Sequence, residues 1–88
     1  MDIKGAVRIA KEFVQDLFAD EGISNLSLEE IEHTKKLWNV TIGFDRPIAN
    51  SPNAYTQITD QITLRQYRVV SLRESGEVIS AKIREVQY

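Results

Sequence analysis

Residues 37–44, Leu37-Trp38-Asn39-Val40-Thr41-Ile42-Gly43-Phe44, alternate between large apolar and smaller or polar side chains. Successive side chains of a strand point to opposite faces. Trp38, Val40, Ile42 and Phe44 therefore share one face, and Asn39, Thr41 and Gly43 the other. Such a strand is half-buried and needs a cover. Upstream, Ile3, Ala6, Val7, Ala10, Phe13, Val14, Leu17 and Phe18 recur at spacings of three and four, one side of a 3.6-residue helix. The helix is predicted over about residues 2–20, with Asp2 accepting a hydrogen bond from a free backbone N–H at its start. Gly22, free to adopt a left-handed conformation, follows its end. Lys4, Arg8, Lys11, Glu12, Gln15 and Asp16 occupy the opposite side, and Arg8 and Glu12 are spaced for an i,i+4 ion pair.

Downstream, Arg73-Glu74-Ser75-Gly76-Glu77 reads as a tight hairpin turn in which Gly76 supplies a positive φ. It joins strands predicted at 62–73 and 77–86. In the last strand Ile79, Ala81 and Ile83 are expected to point inward, leaving Ser80, Lys82 and Arg84 outside. In the strand before it, Tyr67 and Val69 share one parity while Leu64, Val70 and Leu72 share the other, which implies a bulge or burial on both faces. Residues 26–34 have two readings. They form a strand pairing with 37–44 through a turn at Thr34-Lys35-Lys36, or a short helix, since Ser27 and Glu30 match a capping box and Leu28, Ile31 and Lys35 keep helical spacing. The strand is preferred because it gives 37–44 a neighbour. Residues 45–61 hold Pro47 and Pro52 and show little periodicity. A connection of that length is usually functional or disordered. These elements predict a single α+β domain over residues 1–88. One N-terminal amphipathic helix packs on an antiparallel meander of three or four strands.

Composition removes many functions. Of 88 residues, 42% are hydrophobic and 27% charged, as in an ordinary globular domain. With no cysteine, the chain has no disulfide, thiolate metal site or cysteine nucleophile. His33 is the only histidine, which rules out a two-histidine metal site within this chain, and it reads as an exposed strand or turn residue. Glu29, Glu30 and Glu32 read as a solvated acidic face rather than a general acid and base, because nothing apolar beside them would raise a pKa. No phosphate-cradling glycine motif occurs, so no cofactor and no catalytic residue are expected, and the chain is not expected to be an enzyme. It contains no run of about 18 apolar residues and no apolar signal core. A cytoplasmic protein without a membrane association is therefore expected. Residues 1–33 carry eight acids against three bases, and residues 34–88 eight bases against five acids. That asymmetry fits a mildly basic sheet surface, or simply a helix and sheet that attract each other. A pI near 5.3 argues against a nucleic-acid partner. Aromatics interleaved with Arg46, Arg65 and Arg68 would make a base-stacking surface only if Trp38 and Phe44 were outside, and their shared face with Val40 and Ile42 puts them in the core.

The stretch Tyr67-Arg68-Val69-Val70-Ser71-Leu72-Arg73-Glu74-Ser75-Gly76-Glu77-Val78-Ile79 resembles the closing hairpin of the PepSY domain family. In that family an aromatic-x-Val strand runs into a turn ending Gly-Glu-Val. Trp38-Asn39-Val40-Thr41-Ile42 is similar to the family's preceding strand, and Ala6 and Ala10 suit its leading helix. The chain departs from the family at Leu72, where members often carry an acidic residue, and in the long 45–61 connection. The resemblance implies a protein-binding role, such as restraint of a peptidase, with no catalytic residues. The reading from sequence is thus a non-enzymatic protein- or peptide-binding module, a regulator of a peptidase or of a neighbouring gene product. Self-association as a homodimer is the alternative, and weak nucleic-acid or small-ligand binding a further one. Arg46 and Tyr55, both in the 45–61 connection, are the expected contact residues.

Overall fold

Asp2 starts the helix as its sequence position implies: the carboxylate accepts from the Gly5 backbone N–H at 2.8 Å. The structure, a computed structural model, describes residues 1–47 and 63–84. Helix α1 (Ile3–Leu17) is followed by a 3₁₀ turn (Ala19–Glu21) that ends at Gly22 with φ 64°. The strands are β1 (Ser24–Thr34), β2 (Leu37–Pro47), β3 (Thr63–Arg73) and β4 (Val78–Ile83). They pair antiparallel in the order β1-β2-β3-β4, with α1 laid across one face. The fold is α+β, one helix on a four-stranded meander.

The core is a row on the helix set against two central strands. Ala6, Ala10 and Val14 are fully buried against Val40, Ile42 and Phe44 of β2 and Val70 and Leu72 of β3, with Trp38, Phe18 and Ile23 closing the ends. The buried row therefore runs at i, i+4, which is narrower than the eight-residue stripe of the sequence. Ile3 and Leu17, at its edges, are more than half exposed. Ile9 joins the core instead. It reaches the β3–β4 turn, where Gly76 has φ 93° and an added Cβ would stand 3.1 Å from Ile9 Cδ1. Arg8 and Glu12 form no ion pair; among the described residues the i,i+4 pair is Arg73–Glu77.

Three register shifts explain where the sequence pattern misleads. Residues 24–34 form a strand, not a helix, with shifts between Ser24 and Ser27 and between Leu28 and Glu30. The second leaves Glu29 as an extra residue, so Leu28 and Ile31 lie opposite Ile42 and Val40 on the same face despite being three apart. Their apparent helical spacing is the imprint of a bulge. Asn25, at the first shift, takes φ 54°. The third shift lies in β4, where Ser80 pairs with Ser71 and Val78 with Leu72, leaving Ile79 as the extra residue. Val78 and Ala81 therefore pack toward the core. Ile79, expected inside, is the extra residue and 41% exposed, while Ile83 keeps the expected side, opposite Arg68, but lies beyond the reach of the helix and is 70% exposed. β3 itself has no bulge. Its register with β2 runs unbroken from Leu37↔Arg73 to Pro47↔Thr63, so its mixed parity reflects burial on both faces.

β2 also runs three residues beyond Phe44, and 45–47 pair with 63–65 instead of opening a loop. The rest of the expected 45–61 connection lies outside the described residues. Among those described, no helix is long and apolar enough to cross a membrane.

Phe44 is the largest fully buried side chain, and its ring centroid stands 5.2 Å from that of Phe18. Phe44→Ala should lower the unfolding free energy by about 3–5 kcal/mol, measured by urea denaturation. Ile83→Ala, at an exposed position, should stay within about 0.5 kcal/mol of wild type.

Candidate functional site

Along the helix-facing side of β2 the alternation continues past Phe44 to Arg46, opposite Leu64 of β3. On β3 the same side carries Gln66 and Arg68, and Ile83 of β4 stands opposite Arg68. Helix α1 has ended by this point, and Phe18 and the 3₁₀ turn form the boundary. Both guanidiniums stack on the boundary rings: the Arg46 Cζ lies 5.0 Å and the Arg68 Cζ 5.3 Å from the Phe18 centroid. Arg68 also lies 5.7 Å from the Phe44 ring. Gln66 Oε1 joins them, accepting from Arg46 at 3.4 Å and Arg68 at 3.3 Å. Glu21 of the 3₁₀ turn accepts from Arg46 Nε at 2.8 Å and forms an ion pair through Nη2. Arg68 donates to the Tyr67 carbonyl at 3.1 Å and has no ion-pair partner among the described residues. Its partial burial, reinforced by the positive charge of Arg46, lowers its pKa from the ordinary arginine value. Two cations thus face one carboxylate on a shelf flanked by the exposed side chains of Leu64 and Ile83.

Among the described residues no helix lies on the other face of the sheet, yet Thr41 and Gly43 on it are buried. Long arginine side chains cover them. Arg65 crosses from β3 to β1, bonding Asp45 at 3.1 Å, the Asn25 carbonyl at 2.7 Å and the Ser27 hydroxyl. Gly43 makes room for it: an added Cβ would lie 3.0 Å from Arg65 Nη2 and 3.1 Å from both Glu29 Cγ and Tyr67 Cε1. Arg84 reaches across from the end of β4 to Thr41 Oγ1 and Glu30, each at 3.5 Å. The Asn25 amide and the Arg65 guanidinium, both donating to Asp45, hold its carboxyl below the usual range. This face is a self-satisfied polar network, with Ser71 Oγ also donating to Asn39 at 2.6 Å.

His33 is exposed on a strand, as expected, but it is engaged. Its ring stacks on Trp38 at 3.8 Å and 5°, and its Nε2 contacts the Glu74 carboxylate on the β3–β4 turn. Trp38 Nε1 is buried and makes no hydrogen bond of good geometry, although the indole lies near enough to Glu74 to help lower that carboxyl's pKa. Among the described residues no three potential ligands gather as a metal site. A shallow groove of about 490 Å³ runs between α1 and β1, floored by Ile3, Val7 and Leu28.

The expected site residues have different outcomes. Arg46 lies on the shelf, stacked and ion-paired rather than in a loop. Tyr55 lies outside the described residues. Arg68 and Phe18 are not among the expected contact residues, yet the parity of β3 puts Arg68 on the face of Leu64 and Val70. Trp38 and Phe44 are in the core, so neither offers a ring to a nucleic-acid base.

The bond from His33, followed by the nearby His33 charge and the Trp38 indole, outweighs burial and holds the Glu74 carboxyl below its ordinary value of 4.5. A carboxyl whose pKa is lower folded than unfolded contributes stability above the unfolded value and loses it as pH falls through the folded one. The urea midpoint of the wild type should therefore exceed that of Glu74→Gln above pH 4.5 and converge on it in stronger acid. A difference that does not change with pH would count against the contact. Comparison of the chain with protein-family models, curated proteins and solved structures finds no match in any of the three.

Proposed function

We propose that the chain is a non-enzymatic protein- or peptide-binding module, engaging its partner through the part of the sheet that the helix leaves uncovered. The observation that supports this most is the shelf itself. Two arginines, held on aromatic rings, stand beside Leu64 and Ile83, which are 53% and 70% exposed. Arginine and apolar side chains in one exposed patch have the composition of an interface core rather than of ordinary surface. The resemblance of the Tyr67–Ile79 hairpin to PepSY domains favours a peptidase, or the product of a neighbouring gene, as the partner. No catalytic step is assigned to this chain. A homodimer is the second reading, favoured by the strand order: among the described residues β1 and β4 are both edges, and β4 carries the exposed Ile79.

The test is capture of a partner from lysate by the immobilised chain, compared with the double variant Arg46→Ala, Arg68→Ala. The wild type should retain a stoichiometric partner and the double variant should lose it while keeping its circular dichroism. The variant should also lose about 1 kcal/mol of stability from the exposed ion pair and ring stacking. Undiminished capture by the variant would overturn the use of this surface. Recovery of the bait alone, with a mass that rises with concentration in light scattering, would favour the dimer.

A further inference from the structure

We infer that Arg46 and Arg68 form a carboxylate-binding pair that reads an acidic side chain of the partner, and that Glu21 is the intramolecular occupant it displaces or joins. This rests on the shelf being the binding surface. The geometry carries the partner's chemistry. A guanidinium presents planar N–H donors that match a carboxylate, and Arg46 already holds one, with Nε and Nη2 both directed at Glu21 Oε1. The shelf therefore takes a carboxylate in its resting form. Arg68, on the same ring and sharing Gln66 Oε1 with Arg46, has its guanidinium partly withdrawn from water.

Among the described residues, two fixed cations against one anion leave a net positive charge where solvent screening is reduced. A second carboxylate would neutralise it without moving the backbone. Phe18 and Gln66 hold both planes in place, so little side-chain entropy remains to be lost on binding. Leu64 and Ile83 beside the pair would cover the apolar part of the same segment. An acidic peptide segment, with carboxylates set among apolar side chains, is the ligand that matches. A phosphate would use the same donors but not the apolar flanks.

The test uses fluorescein-labelled hexaglutamate, with hexaglutamine and inorganic phosphate as comparators, followed by anisotropy at low salt and by the arginine Nε–Hε resonances in ¹⁵N NMR. Hexaglutamate should bind saturably and move the Arg46 and Arg68 resonances, and hexaglutamine should not. Arg68→Gln should weaken binding about tenfold, the scale of one charge-assisted contact. Arg68→Lys, which keeps the stem and charge but not the fork, should recover only part of it. Glu21→Gln should tighten binding, because it removes the competing carboxylate. Equal affinity in Arg68→Gln and wild type, or weaker binding in Glu21→Gln, would overturn the assignment. So would displacement of hexaglutamate by equimolar phosphate. If hexaglutamate fails to bind while the double arginine variant still loses its lysate partner, the carboxylate assignment falls and the surface reading stands. If the double variant keeps its partner as well, both fall.

Discussion

A 15-residue helix cannot cover 11-residue strands, and much of this molecule is a consequence of that mismatch. At 1.5 Å per residue α1 is about 22 Å long, while β2 at about 3.3 Å per residue extends about 36 Å. The helix can therefore shield Trp38 to Phe44 but not the end of β2 from Asp45 to Pro47. The chain fills the boundary with Phe18, stacked on Phe44, and beyond it replaces apolar residues with side chains that tolerate both a ring and water. Arginine suits that position, because its planar, weakly hydrated cation stacks on an aromatic face while its edge stays solvated.

The same solution recurs on the opposite face. Among the described residues no helix covers the second side of the sheet, yet β2 is buried there at Thr41 and Gly43. Arg65 and Arg84 lie across it and end on Asp45, Glu29 and Glu30. Gly43 is the residue that allows the close approach of Arg65. The acidic surplus of the first third of the chain and the basic surplus of the rest meet here, strand to strand. Part of the charge asymmetry thus holds β1 to β3 across the central strand.

The two faces differ in what they leave over. Arg65 and Arg84 each reach a carboxylate and further oxygen acceptors. Of Arg46 and Arg68, only Arg46 is ion-paired among the described residues, to Glu21, and both stand beside exposed apolar side chains. That surplus of donors and apolar surface is the ground on which the shelf, rather than the larger polar face, is proposed as the surface for a partner.

Much of this was legible in the sequence. The alternation of 37–44, the helical row through Ala6, Ala10 and Val14, the Asp2 cap and the Gly76 turn are local patterns whose period or backbone demand belongs to the residues themselves. Arg46 was legible only as a candidate contact in the 45–61 connection; that it continues the alternation of β2 is decided by the pairing of 45–47 with 63–65. The facing of Leu28, Ile31 and Ile79 could not be read. A bulge inserts one residue and inverts every side chain beyond it, and its position is chosen by pairing with a neighbouring strand rather than by the bulged segment. Nor could the partnership of Arg68 with Arg46 and Phe18 be read, since these residues lie 22 and 50 positions apart. Periodicity is a property of a segment and survives in the sequence. Register and the reach of a long side chain are properties of segments packed together, and only the tertiary structure decides them.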